Sequence, residues 1–151
     1  MDDHHPVEIA LAFVEAINRQ DAAGLARLMT DDYVFVDLAG DVEQDGREKM
    51  VSGWAAYFAL CPAYLIHVSE IYLAGDEVML IGRTTGSHVR QPRRVEIQDT
   101  VIWIAGIRDG QVSAWRLYDD TPDSRASLGI SAGNRWTRVD LFRGKVLGSI
   151  K

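Results

Sequence analysis

Two aspartates stand in rows of apolar residues. Tyr33, Phe35 and Asp37 alternate along one short segment, and Val95, Ile97, Asp99, Val101 and Trp103 alternate along another. Alternate residues of an extended chain share a face, so each carboxylate lies in a row that otherwise wants to leave water. An acid so placed is either a partnered structural group or an acid–base group. Asp37 borders the polar stretch 41–47 and keeps contact with water, as a proton-abstracting base requires. Its plainer role is to hydrogen-bond the turn at 38–40. Asp99 has apolar neighbours on both sides, where desolvation penalises the charged form and favours a neutral acid able to donate to an oxyanion. Its plainer role is an ion pair with Arg83, expected on the preceding strand.

Other residue types bear on the same chemistry. Trp54, Tyr57, Trp103 and Trp115 either line an aromatic ligand cavity or fill a core. His67 and His88 fall on separate strands without metal-ligand spacing, so no metal site is expected. Cys61 precedes a proline at a helix end and reads as a small buried hydrophobe.

The elements that would position these groups follow from periodicity. Ile9, Ala10, Phe13, Val14 and Ile17 repeat at helical spacing over 7–19. Asp21 is placed to cap a short second helix carrying Leu25, Leu28 and Met29. Met50, Val51, Trp54 and Phe58 mark a third helix, stopped by Cys61-Pro62. Strands are predicted near 33–38, 64–73, 77–88, 94–105 and 111–120, with turns at Gly75-Asp76, Gln91-Pro92 and Arg108-Asp109-Gly110. Three N-terminal helices followed by a mainly antiparallel meander predict an α+β fold, with the helices packed on one face of a curved sheet. A cavity between helices and sheet is the natural ligand site.

The chain has 151 residues, 47% of them hydrophobic and 25% charged, which suits a single domain with a sizeable core. The single cysteine excludes an internal disulfide, and no apolar run approaches a membrane span, so a cytoplasmic protein with no membrane partner is expected. The net charge of −6 argues against nucleic acid. That charge is uneven. Residues 1–120 hold 10 Lys+Arg and 20 Asp+Glu, whereas 121–151 hold 6 and 2. A body of −10 with a tail of +4 predicts a pocket domain at 1–120 and a basic extension at 121–151 that docks on it or on a partner protomer, through Trp136, Val139 and Phe142.

Four motifs in this order, FVEAINRQD at 13–21, LMTDDYVFVDLAG at 28–40, GREKM at 46–50 and DGQVSAWRLYDD at 109–120, resemble the SnoaL-like branch of the nuclear transport factor 2-like superfamily over about residues 7–120. The resemblance implies a cone-like α+β barrel, commonly dimeric, with a deep apolar pocket. Function does not follow from that fold, which hosts isomerases, cyclases, hydrolases and binding modules. The similarity to ketosteroid isomerases implies Asp37 as general base and Asp99 as a protonated donor. Phe13 occupies the place of their helix-one tyrosine, and a phenyl ring cannot donate a hydrogen bond. Losing one oxyanion donor lowers the rate by on the order of 100-fold, unless Tyr57 or His67 replaces it. Against the limonene-epoxide hydrolase pattern Arg83 matches, while Thr85 and Leu117 stand where acids are needed. Polyketide cyclases of this type also use an acid on the last strand. Leu117 removes it here, although Asp119 lies on the same face one step along.

Two functions are consistent with these residues. One is cofactor-independent acid–base catalysis on a small hydrophobic cyclic or carbonyl compound, with Asp37 and Asp99 catalytic and Phe13, Trp54, Tyr57, His67, Arg83, Trp103, Trp115, Leu117 and Asp119 around the substrate. The other is a non-catalytic binding or association module using the same pocket. A homodimer is expected through the sheet face opposite the pocket, where Ile102, Ile104 and Val112 are predicted to stand.

Overall fold

A computed structural model of the chain describes residues 5–86 and 100–136. Helix α1 spans Pro6–Asn18 and is started by His5, whose Nδ1 accepts from the Val7 amide while Glu8 accepts from the His5 amide. Proline at the first helical position lacks a donor the helix would not use anyway. Helix α2, Ala22–Leu28, is capped by Asp21, whose carboxylate accepts from Gly24 at 2.9 Å. A Cβ at Gly24 would lie 2.4 Å from the capping carboxylate, so a larger residue there would make the Asp21 side chain shift. Strand β1, Met29–Val36, and the two-residue strand β2, Val42–Glu43, precede helix α3, Arg47–Leu60.

Four long strands follow, β3 at Leu65–Ala74, β4 at Glu77–Thr85, β5 at Val101–Arg108 and β6 at Gln111–Asp119. The β5–β6 hairpin closes through Asp109 and Gly110, both at positive φ, between the paired residues Arg108 and Gln111. This is the turn whose twist matches the flanking strands. Helix α4, Pro122–Ser127, a 3-10 turn at Ala132–Asn134 and the short strand β7, Arg135–Trp136, complete the described chain.

The strands form one open sheet in the order β2-β1-β6-β5-β4-β3-β7. All pairs are antiparallel except β1 with β6. The sheet is curved but unclosed, which refines the expected barrel. Helices α1–α3 cover one face, where Phe13, Tyr33, Trp103 and Trp115 are fully buried with Ile71, Val78 and Leu80. Burying each such large side chain contributes about 1.5–3 kcal/mol.

The opposite face carries Tyr72, Met79, Ile81, Ile102 and Ile104, against which Leu128 and Ile130 of the C-terminal segment pack. Ile102 and Ile104, predicted to be exposed for a partner, are therefore buried within a single chain. Val112 belongs to the helix side instead. The register shift between Gly106 and Ile107 moves it there, because one extra residue transfers a side chain to the other face.

Arg125 fixes this segment. Its guanidinium donates to Asp120 at 2.7 and 3.0 Å and to Glu70 at 3.4 Å, and Tyr72 donates to the same Glu70 carboxylate at 2.6 Å. Beyond it, β7 pairs with the β3 edge at Ile71 and Tyr72, and Trp136 stacks on His5 at 4.3 Å between centroids. Val139 and Phe142, predicted docking residues, lie outside the described residues.

Candidate active site

Register places the candidate residues in rows across the helix-facing surface. Asp119 lies opposite Val101, Leu117 opposite Trp103, and Trp115 opposite both Ala105 and Phe35. The rows differ in exposure. Trp103 and Trp115 are wholly buried, whereas Val101, Leu117 and Phe35 pack on the same core while partly open to solvent. Asp119 is exposed at the end of its strand. The interior is therefore sealed along the middle of the sheet and loosens toward the ends of β1 and β6 and the start of β5.

The helices close this interior with aromatic rings. Phe13 packs on Trp115 with centroids 4.8 Å apart and meets Trp54 edge-on at 6.3 Å. Trp54 in turn contacts Phe35 at 6.2 Å, Tyr57 at 6.4 Å and Phe58 at 5.7 Å. These edge-to-face and tilted pairs are favoured by the ring quadrupole. Tyr57 is half-buried and lies edge-on to Tyr64. Trp54 and Trp115 thus pack between helices and sheet, where they fill the core.

Asp37 follows β1 directly, two residues beyond Phe35. Its Oδ1 accepts from the amides of Ala39 at 2.9 Å and Asp41 at 3.0 Å, and its own amide donates to the Asp41 carbonyl. The turn expected at 38–40 is therefore organised by this carboxylate. Among the described residues no hydrogen bond is made by Oδ2, so one oxygen is held and the other remains available.

Asp99 and the segment carrying His88 lie outside the described residues, as would any pairing of Asp99 with Arg83. Arg83 and His67 are register partners on β4 and β3. His67 lies between Ile66 and Val68, which face the helices, so it and its register partner Arg83 stand on the outer face. His67 Nε2 is 3.0 Å from the Thr85 hydroxyl. The two residues are brought together with each other and not with Asp37. No group of three metal-ligating side chains occurs among the described residues.

Tyr33 was legible in sequence only as the apolar start of the row ending in Asp37. It is wholly buried, 6.0 Å from Phe13 between centroids. Its hydroxyl has no hydrogen-bond partner among the described residues, and neither has the indole nitrogen of Trp103. Burial pushes the Tyr33 phenol well above its ordinary value. The nearby Trp54 indole N–H acts in the opposite direction without reaching hydrogen-bond alignment, and the Glu43 charge adds to the rise. Sequence alone gives no sign of such unpartnered donors, because pairing depends on what the strands and helices bring within about 3 Å.

The SnoaL-like domain family matches residues 10–115. This chain belongs to that family. Among solved structures it is similar to a cystatin-fold protein of Novosphingobium aromaticivorans, with 25% identity, a TM-score of 0.63, and coverage of 74% of this chain and 96% of that one. It is also similar to IdmH of Streptomyces antibioticus, a candidate polyketide cyclase, at 25% identity and a TM-score of 0.60, over 83% and 99% of the two chains. A protein of ketosteroid isomerase-like fold from Catenulispora acidiphila, solved with trimethylamine, has 21% identity and a TM-score of 0.60, over 86% and 97%. No curated protein matches the sequence. No described helix is long and apolar enough to cross a membrane.

Proposed function

We propose that this SnoaL-like domain binds a small hydrophobic carbonyl compound at the loosened end of the aromatic interior and abstracts a proton from it with Asp37. The observation that carries this reading is the row at that end. Phe35, Leu117 and Val101 offer apolar surface still partly open, and Asp37 stands next along the strand from Phe35 with Oδ1 fixed by two amides. A general base acts best when its position is fixed, and two backbone donors on one oxygen restrain the carboxylate while leaving the other oxygen unbonded among the described residues. Trp103, opposite Leu117, supplies an indole N–H with no partner among the described residues, suited to the oxygen on which enolate charge develops. Phe13 cannot serve that purpose. Similarity at 25% identity to a candidate polyketide cyclase supports an enzymatic reading of this site.

A second reading is a binding module without turnover. It is favoured by the same two amides, since a carboxylate organising a turn has a structural task already. A nitrogen-15 NMR titration with 2-tetralone, a bicyclic ketone, separates both from a closed core. Amide shifts should concentrate at Phe35–Asp37, Val101–Trp103 and Leu117–Asp119. Shifts confined to the outer face, or none at millimolar ketone, would defeat the site.

A further inference from the structure

The interior holds a second feature that proton abstraction at the rim does not use. Tyr33 lies four residues before Asp37 on the same face of β1, roughly 13 Å along the strand at about 3.3 Å per residue. It is wholly buried, and its hydroxyl has no partner among the described residues. The polar group beside it is the Trp54 indole, and an indole N–H is a donor only, unable to accept the phenol proton. The hydroxyl therefore presents a hydrogen in search of an acceptor, in surroundings of Phe13, Trp54 and Trp115. Buried donors are normally satisfied, and one left open in an aromatic enclosure is a place that an arriving acceptor would satisfy.

We propose that Tyr33 is a specificity-determining donor that binds an uncharged acceptor oxygen at the buried end of a two-ring ligand whose reacting carbonyl lies at the rim. The inference rests on the ligand-site reading above and adds the chemistry of the far end. The oxygen is uncharged because Asp37 and Asp119 at the rim, and Glu43, whose charge acts on the Tyr33 phenol, are all acids and would repel an anion, while no cation accompanies Tyr33 within the enclosure to offset burial of a charge. The hydroxyl stays protonated through neutral pH, since burial raises the phenol, and so remains a donor. The separation of about 13 Å along the strand between Tyr33 and Asp37 suits a ligand of two fused rings better than one of a single ring. An ether, ester or second ketone oxygen meets these requirements.

Two probes that differ in one atom test this. In 6-methoxy-2-tetralone the remote ring carries an ether oxygen, and in 6-ethyl-2-tetralone a methylene replaces it. Affinities are measured by calorimetry for wild type and Tyr33→Phe, which removes the hydroxyl and keeps the ring. The ratio of the ethyl to the methoxy dissociation constant should fall about 10-fold in the variant, the size expected for one net hydrogen bond. An unchanged ratio, with both ketones still bound, overturns the role of Tyr33 and leaves the rim site standing. Failure of wild type to bind either ketone overturns the site itself and this inference with it. Circular dichroism and melting of the variant confirm that the comparison is made between folded proteins.

Discussion

At the scale of single residues, an unpartnered buried hydroxyl is a liability to the empty protein. Such a group leaves about 1–3 kcal/mol of desolvation uncompensated. Tyr33→Phe removes the donor without changing the packing of Phe13 against its ring. The variant without ligand is predicted to be more stable than wild type by about 1 kcal/mol, seen as a melting temperature roughly 2–4 °C higher. A lower melting temperature would show that the hydroxyl is satisfied in the folded protein. Asp37→Ala is predicted to act oppositely, because the amides of Ala39 and Asp41 lose their acceptor. A loss of about 1 kcal/mol in chemical denaturation is expected for this partly exposed turn. Asp99 lies outside the described residues. The Asp37 row was legible in the sequence, since alternation alone sets which residues share a face. The donor state of Tyr33 and Trp103 was not, because pairing depends on neighbours far apart in the chain.

At the scale of elements, the strands and helices were readable where pattern and punctuation agree. The Asp21 cap, the Cys61-Pro62 stop and the Asp109-Gly110 turn fall where the residue types put them. Bulges were not readable, since nothing in the residues near Ser69 or Ser113 announces an extra residue, yet one such shift carried Val112 to the helix side. At the first bulge, Gly82 approaches β3 so closely that a Cβ would lie 1.9 Å from the His67 carbonyl oxygen. Gly82→Ala must displace one strand and is predicted to destabilise by about 2 kcal/mol or more in urea unfolding. A neutral result would mean that the bulge relaxes without resistance. His67 and Arg83 were expected near the substrate from their places on the middle strands. Their outer-face position follows from alternation, since Ile66 and Val68 on either side of His67 face the helices and Arg83 pairs with His67.

At the scale of the whole molecule, the C-terminal segment changes which surface is free. The charge asymmetry was visible in sequence, but the latch was not, because Glu70, Asp120 and Arg125 meet only once α4 crosses the outer face. Hydrogen bonding to Arg125 holds Asp120 below the usual carboxylate range, against the effect of burial. For Glu70, burial acts upward, and the Tyr72 and Arg125 hydrogen bonds outweigh it, so this group too is lowered. Groups depressed in the folded state stabilise it above their unfolded values and lose that contribution as pH falls through the folded ones. Asp120→Asn should therefore be less stable than wild type by about 1–2 kcal/mol at pH 7, with the gap closing below about pH 4. A gap independent of pH would remove the carboxylate from the latch. The covered outer face also bears on assembly. A variant carrying Leu128→Asp and Ile130→Asp should expose Ile102 and Ile104 and self-associate more than wild type in sedimentation.

The central claim is that Asp37 abstracts a proton from a carbonyl compound at the open end of the interior, and it is tested most directly by hydrogen exchange. 2-Tetralone has acidic protons beside its ketone, and proton NMR in deuterium oxide follows their replacement. Wild type should accelerate that exchange over buffer. Asp37→Asn should lose roughly 100-fold or more of the acceleration, the scale of a positioned general base, while still binding the ketone. Exchange at the buffer rate with wild type, or equal acceleration by the variant, would contradict the account.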